Sequence, residues 1–115
     1  MNIQNIINDS NATLGVEYMQ KAVELGFTEA YSGLGFAYHK GVGVEQNISK
    51  AKEYYENAYE YNNDYTALSN LGVIYLSGFP DFPKNETKAV EYMRMAAKKG
   101  VINAMFNLGV IYYQD

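Results

Sequence analysis

The chain is 115 residues long with 48% hydrophobic and 19% charged residues, so it has room for one compact domain or about three small repeat units, and enough apolar side chain to build a core. Its net charge of -4 comes without any cluster of Lys or Arg, which argues against a surface for nucleic acid. Cysteine is absent, which excludes a disulfide framework, a thiolate nucleophile and a thiolate zinc site.

The first residues, Met1 to Ser10, are rich in Asn and offer only Ile3, Ile6 and Ile7 as large apolar side chains, too few for the core of a signal peptide. No later stretch is apolar for long enough to span a bilayer. The chain therefore reads as cytoplasmic, with secretion of a processed chain left open. A short helix is predicted over residues 2–8, then helices near 12–25, 28–40, 48–61, 66–77, 86–99 and 102–113, and no strand.

Two interleaved sets of residues repeat along these elements. Ala30, Leu34, Gly35, Tyr38 and Gly41 recur 37 residues later as Ala67, Leu71, Gly72, Tyr75 and Gly78, and again as Ala104, Leu108, Gly109 and Tyr112. Asn47, Lys50, Ala51, Glu53, Tyr54 and Ala58 return 38 residues later as Asn85, Lys88, Ala89, Glu91, Tyr92 and Ala96. Asn11, Glu17, Tyr18 and Ala22 form a partial earlier copy, and Gly26, Asn62 and Gly100 close the three copies. Self-similarity at a fixed period marks a repeat architecture.

Within each unit the first helix places Ala30, Leu34 and Tyr38 on one face, and the second does the same with Ala51, Tyr54 and Ala58. Small residues beside large ones let helices approach closely while the large side chains fill the space between them. Gly35, Gly72 and Gly109 each cost roughly 1 kcal/mol relative to Ala inside a helix, and close contact with a neighbouring helix is the expected compensation. Gly41 and Gly78 are placed to end the first-type helices, and Gly26, Asn62 and Gly100 the second-type ones, in a left-handed conformation. Asn11, Asn47 and Asn85 are placed to cap the second-type starts, and Pro80 and Pro83 mark a loop. These elements predict an all-α fold, an α/α superhelix in the form of a right-handed solenoid of antiparallel helix pairs, with first-type helices on the concave side. The expected organisation is a single repeat domain: a partial repeat over 1–29, full repeats over 30–66 and 67–103, and a partial repeat over 104–115.

Signals for chemistry are weak. Gly41-Val42-Gly43-Val44 follows a helix and lacks the Lys of a phosphate-binding loop. His39 is the only histidine, so no His pair for a metal and no Ser–His–Asp set can form around a second one; it reads as a surface residue at a helix end. Glu53 and Glu91 read as solvated helix starts rather than paired carboxylates. Asn8, Asn11, Asn47 and Asn85 open N-x-S/T sequences, three of which capping explains without a glycan. Of the twelve tyrosines most fall at core positions of the repeat, while Tyr59, Tyr61, Tyr65 and Tyr113 lie outside the shared pattern and are candidates for a contact surface. No catalytic, metal or cofactor site is predicted.

Residues 30 to 62, through Ala30, Leu34, Gly35, Tyr38, Gly41, Gly43, Val44, Asn47, Lys50, Ala51, Tyr54, Tyr55 and Ala58, resemble the Sel-one-like repeat (SLR) family, a relative of the tetratricopeptide repeat. Residues 67 to 100 follow the same pattern, except that Gly78-Phe79-Pro80-Asp81-Phe82-Pro83 replaces the family's loop and lengthens it by one residue. The resemblance covers residues 11 to 115 and implies an adaptor or scaffold in protein complexes, with no shared catalytic residues.

The leading expectation is a module that binds a protein or peptide on its concave face. Phe36, Val73 and Val110 directly follow the repeated Leu-Gly and widen the apolar stripe toward that side; either they line one groove with Ser32, His39, Ser69, Leu76, Phe106 and Tyr113, or they pack against adjacent repeats. An alternative is a small inhibitor or immunity protein neutralising a bacterial toxin or enzyme, since the acidic balance suits a basic target. An enzyme is disfavoured because no nucleophile, base and orienting group can be named together. Neither nucleic acid nor membrane is an expected partner. Met105, Leu108, Val110, Ile111 and Tyr112 sit on a first-type helix with no following helix to cover them, which predicts self-association through that end, or poor solubility unless a longer natural chain supplies the next helix.

Overall fold

The computed structural model describes the backbone of residues 3–114 and the side-chain surroundings of residues 10–114. The described residues form six α-helices: α1 (Ile3–Glu24), α2 (Tyr31–Lys40), α3 (Ile48–Asn62), α4 (Tyr65–Ser77), α5 (Glu86–Lys98) and α6 (Ile102–Gln114), with a 3-10 turn over Thr28–Ala30 leading into α2.

Local chemistry sets most boundaries. The Asn47 side chain accepts from the Lys50 N–H at 3.1 Å and that of Asn85 from the Lys88 N–H at 3.0 Å, so α3 and α5 start where a side-chain oxygen meets a free backbone donor. Asp64, which the repeat pattern did not single out, caps α4 in the same way through the Ala67 N–H at 3.0 Å. Gly41 ends α2 in the left-handed region at φ 68°.

Two expected boundaries are corrected. The separate helices over 2–8 and 12–25 are one helix, α1, of 22 residues, and Asn11 lies in its interior rather than at a cap; residue 2 falls outside the described residues. No proline interrupts this stretch, and Gly15 alone does not break it. At the end of α3 the left-handed residue is Asn63, at φ 53°, not Asn62. The Asn62 side chain instead donates to the Thr28 carbonyl at 2.7 Å and accepts from the Thr28 hydroxyl at 2.6 Å, tying the end of α3 to the turn before α2.

Packing follows the repeat. Val16 of α1 is buried with Leu34 and Ala37 of α2. Tyr38 of α2 then joins Ala51, Tyr55 and Ala58 of α3 and Leu68, Leu71 and Ile74 of α4 in the central cluster. Met93 and Ala96 of α5 close on Ala104 and Ile111 of α6. Each fully buried large side chain contributes roughly 1.5–3 kcal/mol, and the clusters run in chain order, as expected of a stack measuring 46 × 35 × 25 Å.

The helix-interior glycines explain how close the helices come. A Cβ at Gly35 would lie 2.6 Å from Cδ1 of Tyr55, and one at Gly72 would lie 2.9 Å from Cγ of Met93 and 3.2 Å from the Ala89 carbonyl oxygen. Gly109 departs from the expected pattern, because a Cβ there would meet nothing within 4 Å.

Candidate protein-binding surface

The nine residues expected to line a groove do not form one continuous surface. Phe36 of α2 is 51% exposed, and Phe106, Val110 and Tyr113 of α6 also reach solvent. Ser32 is half-buried. On α4 the row closes: Ser69 is buried, and Val73 and Leu76 pack against the cluster formed by Met93, Ala96, Ala104 and Ile111. Helix α4 lies between α3 and α5, which leaves it fewer open positions than the helices at either end of the stack.

His39 is the second correction to that set, for it is buried rather than a surface contact. Its ring stands edge-on to Tyr55, with centroids 6.0 Å apart, and to Phe79 at 6.3 Å, and its Nδ1 lies 3.4 Å from the Tyr55 hydroxyl. Phe79 arrives from the atypical loop, where Phe79 and Phe82 exchange backbone hydrogen bonds of 2.8 and 2.9 Å across Pro80-Asp81. Burial, and to a lesser degree the neighbouring Lys40, lowers the His39 pKa, and burial pushes the Tyr55 hydroxyl up to about 12. Both groups are therefore neutral near pH 7.

Of the four tyrosines outside the repeat pattern, Tyr61 and Tyr113 are exposed, while Tyr59 and Tyr65 are half-buried against each other, with centroids 5.4 Å apart. A run of rings from Tyr38 through Tyr54 and Tyr31 to Tyr61, at 5.7, 6.2 and 5.9 Å, carries aromatic surface across α2 and α3. The repeat-equivalent lysines behave alike: Lys50 lies over Tyr38 at 5.1 Å and Lys88 over Tyr75 at 5.2 Å, contacts of about 0.5–1 kcal/mol at exposed sites.

A cleft of about 380 Å³ between the start of α3 and the Phe79–Phe82 turn is lined by Gln46, Asn47, Ile48 and Ser49, with Asp81 its only ionisable residue. Among the described residues no three His, Cys, Asp or Glu side chains stand close enough together to hold a metal ion. No described helix is long and apolar enough to cross a membrane.

Alternating helices whose glycines seat large side chains of the next helix define an α/α repeat solenoid, a class that offers extended surfaces rather than an enclosed pocket. The family described as Sel1 repeat matches residues 9–27, 28–62, 66–101 and 102–115, and the chain belongs to the Sel1 repeat family. Its fold is similar to that of a protective antigen present in uropathogenic Escherichia coli strains displaying an SLR fold, at 29% identity and a TM-score of 0.74 over 86% of this chain and 21% of that one. It is also similar to a Sel1 repeat protein from Oxalobacter formigenes, at 32% identity and a TM-score of 0.73 over 90% of this chain and 40% of that one. In sequence it is 49% identical over 49 residues, 42% of its length, to an ERAD-associated E3 ubiquitin-protein ligase component of Arabidopsis thaliana, of which the match covers 8%. The chain thus spans less than half the length of each of these relatives.

Proposed function

We propose that this chain is a non-catalytic protein-binding module, an adaptor or scaffold, that holds a segment of another protein along the concave side of its first-type helices. The observation that carries this reading is Phe36: a large aromatic side chain at a repeat position, half exposed, on a rigid helix whose other face is fixed in the core. Exposed aromatic residues on rigid elements are the usual anchors of protein interfaces. Membership of the Sel1 repeat family and the likeness to a ligase component support the same reading. The net charge of -4 favours a basic partner, and an inhibitor or immunity protein is the form this reading takes if that partner is an enzyme.

The test is a binding measurement on a partner captured by cross-linking, using two variants. Phe36→Glu should keep the helical signal and melting temperature while weakening the partner at least tenfold. Val73→Glu places a charge in the packed α4–α6 region and should lower stability instead. Unchanged affinity in a folded Phe36→Glu protein overturns the proposal. A partner whose own catalytic activity falls on binding identifies the inhibitor form.

A further inference from the structure

Helices α3 and α5 both pack on α4, and between them lies a pocket of about 270 Å³. Glu56, Tyr59 and Glu60 line it from α3, Tyr92 and Met95 from α5, and Leu68 from α4 beneath them. Its lining contains no Lys or Arg.

The preceding junction, between α1 and α3 over α2, shows what opens this one. By the repeat spacing Gln20 corresponds to Glu56, Tyr31 to Leu68 and Tyr54 to Tyr92. The Gln20 amide donates to the Tyr54 hydroxyl at 3.0 Å, and the ring of Tyr31 lies 6.2 Å from that of Tyr54, so a hydrogen bond and a packed ring bridge α1 and α3. At the α3–α5 junction both closing groups are replaced. Leu68 is smaller than Tyr31 and leaves volume where the ring would lie, and the carboxylate of Glu56 cannot donate as the Gln20 amide does.

Glu56 pairs instead along its own helix, its Oε1 lying 3.1 Å from the Lys52 Nζ. Its Oε2 and the carboxylate of Glu60, one turn further on, make no ion pair among the described residues. Tyr59 is a second departure from the repeat, because Val23 and Ala97 stand at its equivalent positions. The pocket therefore combines an apolar floor, two half-buried tyrosines and two carboxylates on one wall. Tyrosine faces in this chain already hold cations, as with Lys50 over Tyr38 at 5.1 Å and Lys99 over Tyr65 at 5.5 Å.

We infer that this pocket receives an arginine side chain of a protein partner. The aliphatic stem rests on Leu68 and Met95, the guanidinium lies against the tyrosine rings, and its N–H groups donate to Glu60 and to Oε2 of Glu56. A planar guanidinium stacks on aromatic faces and donates in several directions at once, as two carboxylates one helical turn apart require, whereas an ammonium is a compact point charge. The site is built by α3, α4 and α5 and does not rest on the reading of Phe36, which lies on α2.

Titration of the 115-residue chain with N-acetyl-arginine amide, followed by NMR, tests the inference, with the lysine and norleucine amides as comparators. Methyl signals of Leu68 and Met95 and ring signals of Tyr59 and Tyr92 should move together and saturate with the arginine compound, respond less to lysine, and stay in place with norleucine. Glu56→Gln combined with Glu60→Gln leaves the apolar lining intact and should weaken the arginine compound about tenfold. Leu68→Tyr, which installs the residue found at the equivalent Tyr31, should fill the floor and abolish binding while the helical signal holds. Both carboxylates reach solvent, so the double variant decides the matter even if Leu68→Tyr fails to fold. Absent shifts with arginine, equal shifts with norleucine, tighter binding of lysine, unchanged affinity in the double variant, or binding that survives in folded Leu68→Tyr overturns the inference.

Discussion

The aromatic ring of Tyr55 lies directly over the Cα of Gly35, so that a Cβ at that position would fall 2.6 Å from Cδ1 and 2.7 Å from Cε1. The ring is fully buried and has little room to yield. Overpacking of this kind costs about 1–3 kcal/mol, against which Ala regains about 1 kcal/mol of helix propensity. Gly35→Ala should therefore lower stability by up to about 2 kcal/mol. Gly72→Ala should lose less, since its closest contact, Cγ of Met93, is looser at 2.9 Å, and Gly109→Ala should gain up to about 1 kcal/mol. Urea denaturation at low protein concentration would rank the three, and equal effects would mean that the notches are not distinguished by their contents.

Helix starts offer an internal control. Asn47→Ala and Asn85→Ala should each cost about 1 kcal/mol, and Asp64→Ala about as much, because each removes the oxygen that satisfies a backbone N–H. Asn11→Ala should be neutral or slightly stabilising, since Asn11 sits within α1. Denaturation midpoints decide it, and a loss at Asn11 comparable to that at Asn47 would restore a helix boundary there.

Adjacent asparagines at the end of α3 should respond in opposite directions. Asn63 bears the positive φ, so Asn63→Gly relieves the backbone and should stabilise by a few tenths to about 1 kcal/mol. Asn62→Ala removes the acceptor of the Thr28 hydroxyl and one of the two donors to the Thr28 carbonyl, which keeps the Tyr31 N–H, and should cost about 1 kcal/mol. Thermal melts of the two variants check the assignment.

His39 should make stability depend on pH in the mildly acidic range. Its folded pKa is lowered from 6.5 by burial, so the unfolded chain binds the proton more readily. The full contribution is present above pH 6.5 and is lost as pH falls through the lower folded pKa. His39→Leu, which installs the type of residue found at the equivalent Leu76, should flatten the stability curve between neutral pH and the onset of carboxylate titration. The difference between the wild-type and variant melting temperatures measured across that range tests the sign. A wild-type protein that gains stability relative to the variant on acidification would contradict it.

The repeat, the helix types and most helix ends were legible in the sequence because their causes are local or periodic. Asn47 and Asn85 cap through donors three residues away, Gly41 ends its helix through its own backbone freedom, and Ala51 and Ala58 face inward because helical geometry puts them on one side. Where a local signal has two readings, the surrounding chain selects between them: Asn11 has the same setting as Asn47, but no helix end precedes it, and Asn62 and Asn63 differ only in which one the chain turns through.

Tertiary structure decided what each repeated position meets. His39 stands at the end of a short helix and reads as a surface residue, yet Phe79 from the loop of the following repeat covers it. Phe36 and Val73 occupy equivalent positions, but only Val73 has α5 and α6 packed around it. Gly35, Gly72 and Gly109 are the same residue in the same motif, closed by Tyr55, closed by Met93, and open. A periodic pattern specifies which face a helix must bury, while whether that face is covered depends on which other helix reaches it, and that is a property of the assembled stack.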